Sequence, residues 1–209
     1  MVRIAHAQGH GRLPGAGASR RRADPARAQE LLRAPGPGYF AIELAKLGDY
    51  QITGLDISRT FVEIARRNAE EAGSEVASRV DFRQGNAAAM PFGDASFDFL
   101  LCRAAFKNFS QPVEALQEMY RVLKPGGRAL IIDLRRDASR DSVRTAVENM
   151  GLGAVNTFVT KLTFRFMLLK RAYTKSEFEE FLSRTKFGPI EIREDLTSLE
   201  LLLHSGRAA

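Results

Sequence analysis

Residues 33–58 are RAPGPGYFAIELAKLGDYQITGLDIS, and the order of elements in this stretch decides the fold. A Gly-Pro-Gly turn at 36–38 precedes a segment that predicts an amphipathic helix. The apolar residues at helical spacing, which this helix is expected to bury, are Phe40, Leu44 and Leu47. A strand follows, with Asp56 at its carboxyl end. Turn, helix, strand and terminal acid in this order are typical of a nucleotide-binding α/β unit.

The chain from residue 58 to 134 continues the alternation of helices and strands. Ser58 is the expected N-cap of a helix that ends near Gly73, with Phe61 among the residues expected on its inner face. Strands are expected in RVDFRQGNA, SFDFLLCRAAF and RALIIDL, and a helix is expected from Pro112. Alternating helices and strands indicate βαβ units and a parallel sheet. The expected fold class is therefore α/β, a doubly wound Rossmann-like and mostly parallel sheet with an antiparallel C-terminal strand.

The last third of the chain has a different pattern. Apolar residues follow a helical stripe from Val155 to Tyr173, Thr174-Lys-Ser-Glu177 is a capping box, and two closing strands are expected in PIEIREDL and SLELLLH. We interpret residues of about 140–185 as a helical cap over the sheet or over a substrate pocket. The alternative is a basic amphipathic helix that rests on a membrane surface. No transmembrane segment is predicted, because Lys161 and Arg165 interrupt the longest apolar stretch.

The N-terminal 35 residues differ in composition from the rest. They contain seven arginines, no lysine and only two acids, so that they carry most of the net charge of +6. Residues 1–29 are expected to be a disordered tail, and residues 30–209 a single domain. An arginine-rich arm that contacts nucleic acid or anionic lipid, a plain solvated tail, and translation from a shifted reading frame all remain open for this segment. Arg, Ala, Gly and Pro all have GC-rich codons, as a shifted frame would require. We favour this interpretation, because the regular pattern fails abruptly at the point where the composition changes.

The composition limits which classes of partner and which cellular compartment we expect. Beyond residue 35 basic and acidic side chains nearly balance, so no nucleic-acid partner is expected. Cys102 is the only cysteine, which excludes an internal disulfide, and no Cys/His spacing suggests a metal site. The N-terminus lacks the apolar core of a secretory signal, so a cytoplasmic location is expected.

Residues 83–133, RQGNAAAMPFGDASFDFLLCRAAFKNFSQPVEALQEMYRVLKPGGRALIID, carry the most specific pattern in the chain. They resemble the class I S-adenosylmethionine-dependent methyltransferases, and within these the small-molecule group that includes the ubiquinone/menaquinone C-methyltransferases. PGPGYFAIELAK is similar to the end of the family's glycine-rich first motif, GLDIS to its acidic second motif, and RVLKPGG to its turn before the fifth strand. The resemblance covers residues of about 36–137. It implies S-adenosyl-L-methionine as cofactor and a small-molecule methyl acceptor as partner.

The resemblance also implies roles for single residues. Asp56 would hold the cofactor ribose, and Arg103 would lie near the methionine carboxylate or the acceptor. The other residues that the resemblance implies at the cofactor are Gly36 and Gly38 at the methionine part, Ile57 on the adenine face, and Asn86 and Ala87 at the adenine edge. Asn86 stands where the family more often has Asp, and its amide oxygen still accepts hydrogen bonds.

Two departures from the family pattern bear on activity. The first glycine of the family motif is Ala34 here, the acidic position is Leu32, and Glu30 interrupts a strand that should be a hydrophobic run. We therefore expect a degraded or irregular first strand. The loop after the fourth strand lacks the histidine often found there, which leaves Arg103, Lys107 and Asn108 as weak catalytic candidates. The alternative to an active enzyme is thus a catalytically impaired relative that acts as a binding or scaffold module.

Overall fold

The computed structural model describes residues 29–33, 36–149 and 169–206. The strands are β1 (Gln29–Arg33), β2 (Gln51–Asp56), β3 (Val80–Gln84), β4 (Phe97–Arg103), β5 (Leu123–Leu134), β6 (Ile190–Glu194) and β7 (Ser198–His204). The helices are α1 (Tyr39–Lys46), α2 (Arg59–Glu71), α3 (Ser74–Ala77), α4 (Pro112–Val122), α5 (Arg140–Glu148), α6 (Leu169–Arg171) and α7 (Lys175–Ser183). A 3₁₀ turn, Phe106–Asn108, follows β4.

The seven strands form one sheet in the order β3-β2-β1-β4-β5-β7-β6. Strands β1 to β5 are parallel, and β7 runs antiparallel between β5 and β6. The expected α/β sheet with an antiparallel C-terminal strand is therefore confirmed. The strand order reverses between β1 and β4, and in open α/β sheets ligands bind at the carboxyl ends of the strands beside such a reversal.

The first strand forms in spite of its polar sequence. β1 pairs with β2 on one side and with β4 on the other over its short length. Leu31 and Leu32 point to opposite faces of the sheet, and both are buried. At the start of the strand the Gln29 amide donates to Asp98 Oδ2 at 2.9 Å. Two leucines and one side-chain anchor thus hold in place a strand whose sequence is irregular for the centre of a sheet.

The buried faces of the first two helices differ from those expected. In α1, Phe40 is 47% and Leu47 80% exposed, while the buried residues are Ala41, Ile42 and Ala45. In α2, Phe61 is exposed and the buried residues are Val62, Ala65 and Ala69. The expectations for Phe40, Leu47 and Phe61 were therefore wrong. Small side chains on the inner faces let both helices lie close to the sheet, and the large residues are left outside.

The remaining local predictions are largely confirmed. Ser58 Oγ accepts from the Phe61 amide as the N-cap of α2, and Thr174 and Glu177 form the capping box of α7. Helices α4 and α7 cover one face of the sheet, and α1, α2 and α3 cover the other. The stripe expected from Val155 onward lies mostly outside the described residues. Among the described residues no helix is both long and apolar enough to cross a membrane.

Candidate functional site

A cavity of about 320 Å³ opens at the carboxyl edge of the sheet, where the strand order reverses. It is lined by Gly36, Leu55, Asp56, Ile57, Ser58, Phe61, Asn86, Ala87, Ala104, Ala105, Asn108, Phe109 and Ser110. These residues follow the ends of β1, β2, β3 and β4. A larger cavity of about 600 Å³ lies near Tyr120 and Lys186, away from this edge. The position at the switch point makes the smaller cavity the candidate site.

Asp56 is the acidic group of the cavity. It ends β2, is only 6% exposed, and its Oδ1 accepts from the Ser58 amide at 2.9 Å. This hydrogen bond orients the carboxylate at the beginning of α2. Among the described residues no donor reaches Oδ2. A buried carboxylate with an oxygen left over can accept hydrogen bonds from a ligand that carries hydroxyl groups, such as a ribose.

The glycine turn after β1 serves the cavity in two ways. Gly36 has φ +53° and lines the cavity, and a Cβ built there would meet no atom within 4 Å. Gly38 has φ +83° and packs away from it, where a Cβ would lie 2.8 Å from Ala65 Cβ and from Phe82 Cζ. The turn is held by Asn68 Nδ2, which donates to the Pro37 carbonyl at 2.8 Å. Gly36 therefore leaves room for a ligand, while Gly38 lets the turn lie against α2.

Asn86 and Ala87 form the wall that follows β3. Asn86 Oδ1 accepts from the Ala88 amide at 3.0 Å, which closes a tight turn beside the cavity. The Gly85 amide donates to the Asp56 carbonyl at 2.9 Å, so this wall is tied to the end of β2. Asn86 and Asp56 thus line the same cavity from neighbouring strand ends, and the adenine role of Asn86 stays a prediction.

Arg121 on α4 anchors the loop behind this wall. Its guanidinium donates to the carbonyls of Met90 and Phe92, to Asp94 Oδ1 at 2.7 Å and to both carboxylate oxygens of Glu118. The hydrogen bonds that Arg121 donates to Glu118 and Asp94 raise the pKa of Arg121 above its already high ordinary value. The loop that carries Asn86 and Ala87 is therefore held by a guanidinium that stays protonated and by the two carboxylates that accept from it.

The opposite wall follows β4. Ala104 has φ +54°, a left-handed conformation that is uncommon outside glycine. Lys107 does not point into the cavity, because its Nζ donates to Asp133 Oδ1 at 2.9 Å and to the Ala104 carbonyl at 2.7 Å. The side chains of this pair are 7% and 1% exposed. Asn108 follows at once and lines the cavity.

The cavity brings together six of the residues that the sequence predicts for the site. These are Gly36, Asp56, Ile57, Asn86, Ala87 and Asn108. Three others do not line it: Gly38 is buried in the core, Arg103 ends β4 with an exposed side chain, and Lys107 is paired with Asp133. The sequence analysis did not single out Asp133. Its signal was an acid at the carboxyl end of a buried strand, the same signal that identified Asp56.

Comparison with known proteins shows a family likeness for about half of the chain. Residues 32–131 match the family described as Methyltransferase domain. Over these residues the chain is similar to methyltransferases. The matched segment begins in β1 and ends in β5, so it contains the ends of all four strands that surround the cavity.

Individual relatives agree with this assignment. The chain is 38% identical over 107 residues to the demethylmenaquinone methyltransferase of Deinococcus radiodurans, covering 51% of the chain and 43% of that protein. It is 35% identical over 111 residues to the ubiquinone/menaquinone biosynthesis C-methyltransferase UbiE of Roseobacter denitrificans, covering 52% and 44%. The chain thus spans less than half the length of the relatives it matches. In fold it is similar to a SAM-dependent methyltransferase from Aquifex aeolicus, with a TM-score of 0.64, 17% identity and 85% and 82% of the two chains covered.

The described residues fit S-adenosylmethionine, the cofactor that the resemblance implies. S-adenosylmethionine contains a ribose diol and an adenine amino group, which are hydrogen-bond donors. The cavity is lined by the Asp56 carboxylate and by Asn86, and Gly36 leaves space for a ligand to approach the backbone. The family's usual acid at the end of the first strand is Leu32 here, and Leu32 is buried in the core. The fit therefore rests on the nucleoside part of the cofactor.

Proposed function

We propose that this protein is a methyltransferase that binds S-adenosylmethionine in the carboxyl-edge cavity and transfers its methyl group to a small-molecule acceptor. The observation that carries the proposal is the buried Asp56, which ends β2 beside the switch point and keeps one oxygen for a ligand. The match of residues 32–131 to the methyltransferase-domain family supports the proposal independently of this geometry.

The residues of the cavity bind and orient rather than react. When bound, the cofactor supplies an activated methyl group on a good leaving group, so the protein needs no nucleophile of its own. Asp56 would hold the ribose, Asn86 and Ala87 the adenine edge, and Ile57, 72% exposed, would be covered by the adenine face. The remaining task is to align the acceptor and to exclude water from it. Arg103 stays a predicted contact of the methionine carboxylate or of the acceptor.

We further propose an aromatic hydroxyl compound of the quinol type as acceptor. The relatives from Deinococcus and Roseobacter carry quinone names, and the wall after β4 offers the apolar surfaces of Ala104, Ala105 and Phe109 beside the Asn108 amide. Among the described lining residues Asp56 is the one ionisable side chain. An acceptor with its own acidic hydroxyl or activated carbon suits such a wall, because it needs little help from a base. The cytoplasmic location remains part of this proposal.

The first test is calorimetric titration of S-adenosylhomocysteine into the parent chain and into Asp56→Ala. We expect binding in the parent and a loss of about tenfold or more in affinity in Asp56→Ala, since a charge-assisted hydrogen bond contributes about 1.5–3 kcal/mol. Asp81→Ala is the matched control, because Asp81 lies within β3, is exposed and does not line the cavity. A folded parent that does not bind S-adenosylhomocysteine would contradict the proposal.

The second test is methyl transfer from labelled S-adenosylmethionine to a demethylated naphthohydroquinone, with a catechol and a primary amine as comparison acceptors. Transfer to the hydroquinone that is lost in Asp56→Ala supports the quinol assignment. Transfer only to the other acceptors would keep the methyltransferase and overturn the acceptor class. Binding of cofactor without transfer to any of them would favour the binding-module alternative.

A further inference from the structure

The 106–108 turn sends three successive side chains in three directions. Phe106 is completely buried and contacts the rings of Tyr173 and Phe178, with centroids 6.0 and 5.0 Å away. Lys107 turns back to Asp133 at the end of β5. Asn108 lines the cavity. The position of the cavity wall therefore depends on where the first two side chains are anchored.

Asp133 is the centre of a compact hydrogen-bond cluster. Its Oδ2 accepts from the Lys107 amide at 2.9 Å, and its Oδ1 accepts from Lys107 Nζ at 2.9 Å and from the Leu134 amide at 2.8 Å. One carboxylate thus binds both the backbone and the side chain of the same residue. Buried ion pairs contribute little net stability, because desolvation offsets their attraction. A better-supported role of buried ion pairs is to fix one conformation among several.

The arrangement that is fixed here is a strained one. Ala104 is left-handed, and its backbone is held at both ends: its amide donates to the Ile132 carbonyl at 2.7 Å, and its carbonyl accepts from Lys107 Nζ at 2.7 Å. A non-glycine residue in this region costs about 1–2 kcal/mol, so it persists only where its surroundings compensate for it. The strain occurs where the chain leaves β4 and enters the cavity wall.

We propose that Lys107 is a positioning residue, which with Asp133 clamps the 104–108 segment so that Ala104, Ala105 and Asn108 form the acceptor-side wall of the cavity. This assignment gives Lys107 no part in proton transfer. It rests on the proposed function for the meaning of the wall as the acceptor side. The clamp itself is a property of the fold, and it can be measured without the cofactor.

The test of the clamp is amide hydrogen exchange in Lys107→Met. We expect exchange at the amides of residues 107, 108 and 109 to accelerate about tenfold or more, while β5 amides keep their protection, because the opening is local. Lys107→Arg should restore protection, since arginine retains the charge and the donors. Lys124→Met is the control, because it removes another Lys–Asp pair, Lys124–Asp98 at 2.8 Å, far from the cavity. Should Lys107→Met fail to fold, the double variant Lys107→Met/Asp133→Asn removes both charges. Its asparagine keeps a side-chain oxygen that can accept from the backbone amide of residue 107.

Titration of S-adenosylhomocysteine into the same variants separates the two proposals. Faster exchange confined to 107–109, with affinity lowered about threefold or more in Lys107→Met and not in Lys124→Met, supports the clamp. Unchanged exchange at these amides, or acceleration spread over the whole sheet in both variants, overturns it. Lys107→Met that keeps protection and affinity but loses methyl transfer also overturns it, because Lys107 would then act on the acceptor. A parent that binds no cofactor contradicts the proposed function, while the exchange data still decide the clamp.

Discussion

Strands β1 and β4 are neighbours at the centre of the sheet, and they reach that position by different means. β4 is seven residues long, and its sequence, FDFLLCR, is mostly apolar as a central parallel strand requires. β1 has five residues, QELLR, of which two are leucines. The sequence of β4 therefore predicts a central strand by itself, whereas β1 forms a strand because β2 and β4 pair with it. Backbone pairing with two neighbouring strands can thus hold a segment of unfavourable strand sequence at the centre of a sheet.

This difference divides the cavity. The glycine turn that we propose to contact the cofactor follows β1, whereas the proposed acceptor-side wall follows β4, next to the Lys107–Asp133 pair. The position of the glycine turn thus depends on the weaker of the two central strands. Substitutions around β1 test how far this strand depends on its neighbours.

The largest effect is expected for Gly38→Ala in the turn after β1. The added Cβ would come within 2.8 Å of Ala65 and Phe82, in a left-handed residue, so we expect a loss of about 2–4 kcal/mol in the free energy of unfolding. Gly36→Ala is left-handed too but meets no atom, and it should cost only about 1–2 kcal/mol. Urea unfolding of both variants gives the comparison.

Gly36→Ala is the control for Gly38→Ala, because both glycines have positive φ and the Cβ at Gly36 meets no atom within 4 Å. Equal losses in Gly38→Ala and Gly36→Ala would mean that backbone strain alone explains the effect. S-adenosylhomocysteine affinity should fall in Gly36→Ala in spite of its milder destabilisation, because the methyl group would enter the cavity.

Much of this fold was predictable from the sequence, because β2 to β5 and their helices follow simple periodicity and carry recognisable caps such as Ser58. The position of Asp56 was predictable from the order of glycine turn, helix, strand and terminal acid. The inner faces of α1 and α2 were not predictable from hydrophobicity, because tight packing selected Ala41 and Ala45 over the larger Phe40. The Lys107–Asp133 pair joins residues 26 positions apart in sequence, a contact that no local pattern encodes.

A smaller effect is expected at the amino end of β1, where Asp98 holds the strand. Asp98 Oδ2 accepts both from the Gln29 amide and from Lys124 Nζ at 2.8 Å. Asp98→Ala removes both acceptor contacts at a half-exposed site, and we expect a loss of about 1–2 kcal/mol. Asp81→Ala, which removes an exposed pair with Arg83 on β3, should cost less than about 1 kcal/mol.

The location of the Asp98 effect matters more than its size. Hydrogen exchange should rise in β1 before it rises in β5 or β7, because β1 has few other anchors. Uniform acceleration across the sheet would show that β1 is as secure as its neighbours, and the contrast between β1 and β4 would then be one of sequence only.

The smallest effect is a gain, at Glu30 in β1. Burial raises the pKa of Glu30 above its ordinary value, and among the described residues no cation lies within ion-pair distance. The folded state holds the Glu30 proton more tightly than the unfolded state does. The free energy of unfolding is therefore unaffected below the ordinary glutamate pKa of 4.5 and falls as pH rises from that value through the raised pKa of the folded state. Glu30→Leu should therefore add about 1 kcal/mol at neutral pH through apolar burial and removal of the charge.

Glu30→Gln should flatten the pH dependence of unfolding between pH 4 and 7, whereas Glu200→Gln, at an exposed site on β7, should leave it as in the parent. A parent whose stability does not fall relative to Glu30→Gln over this range would mean that β1 accommodates the charge, and that its polar sequence carries no cost at the centre of the sheet.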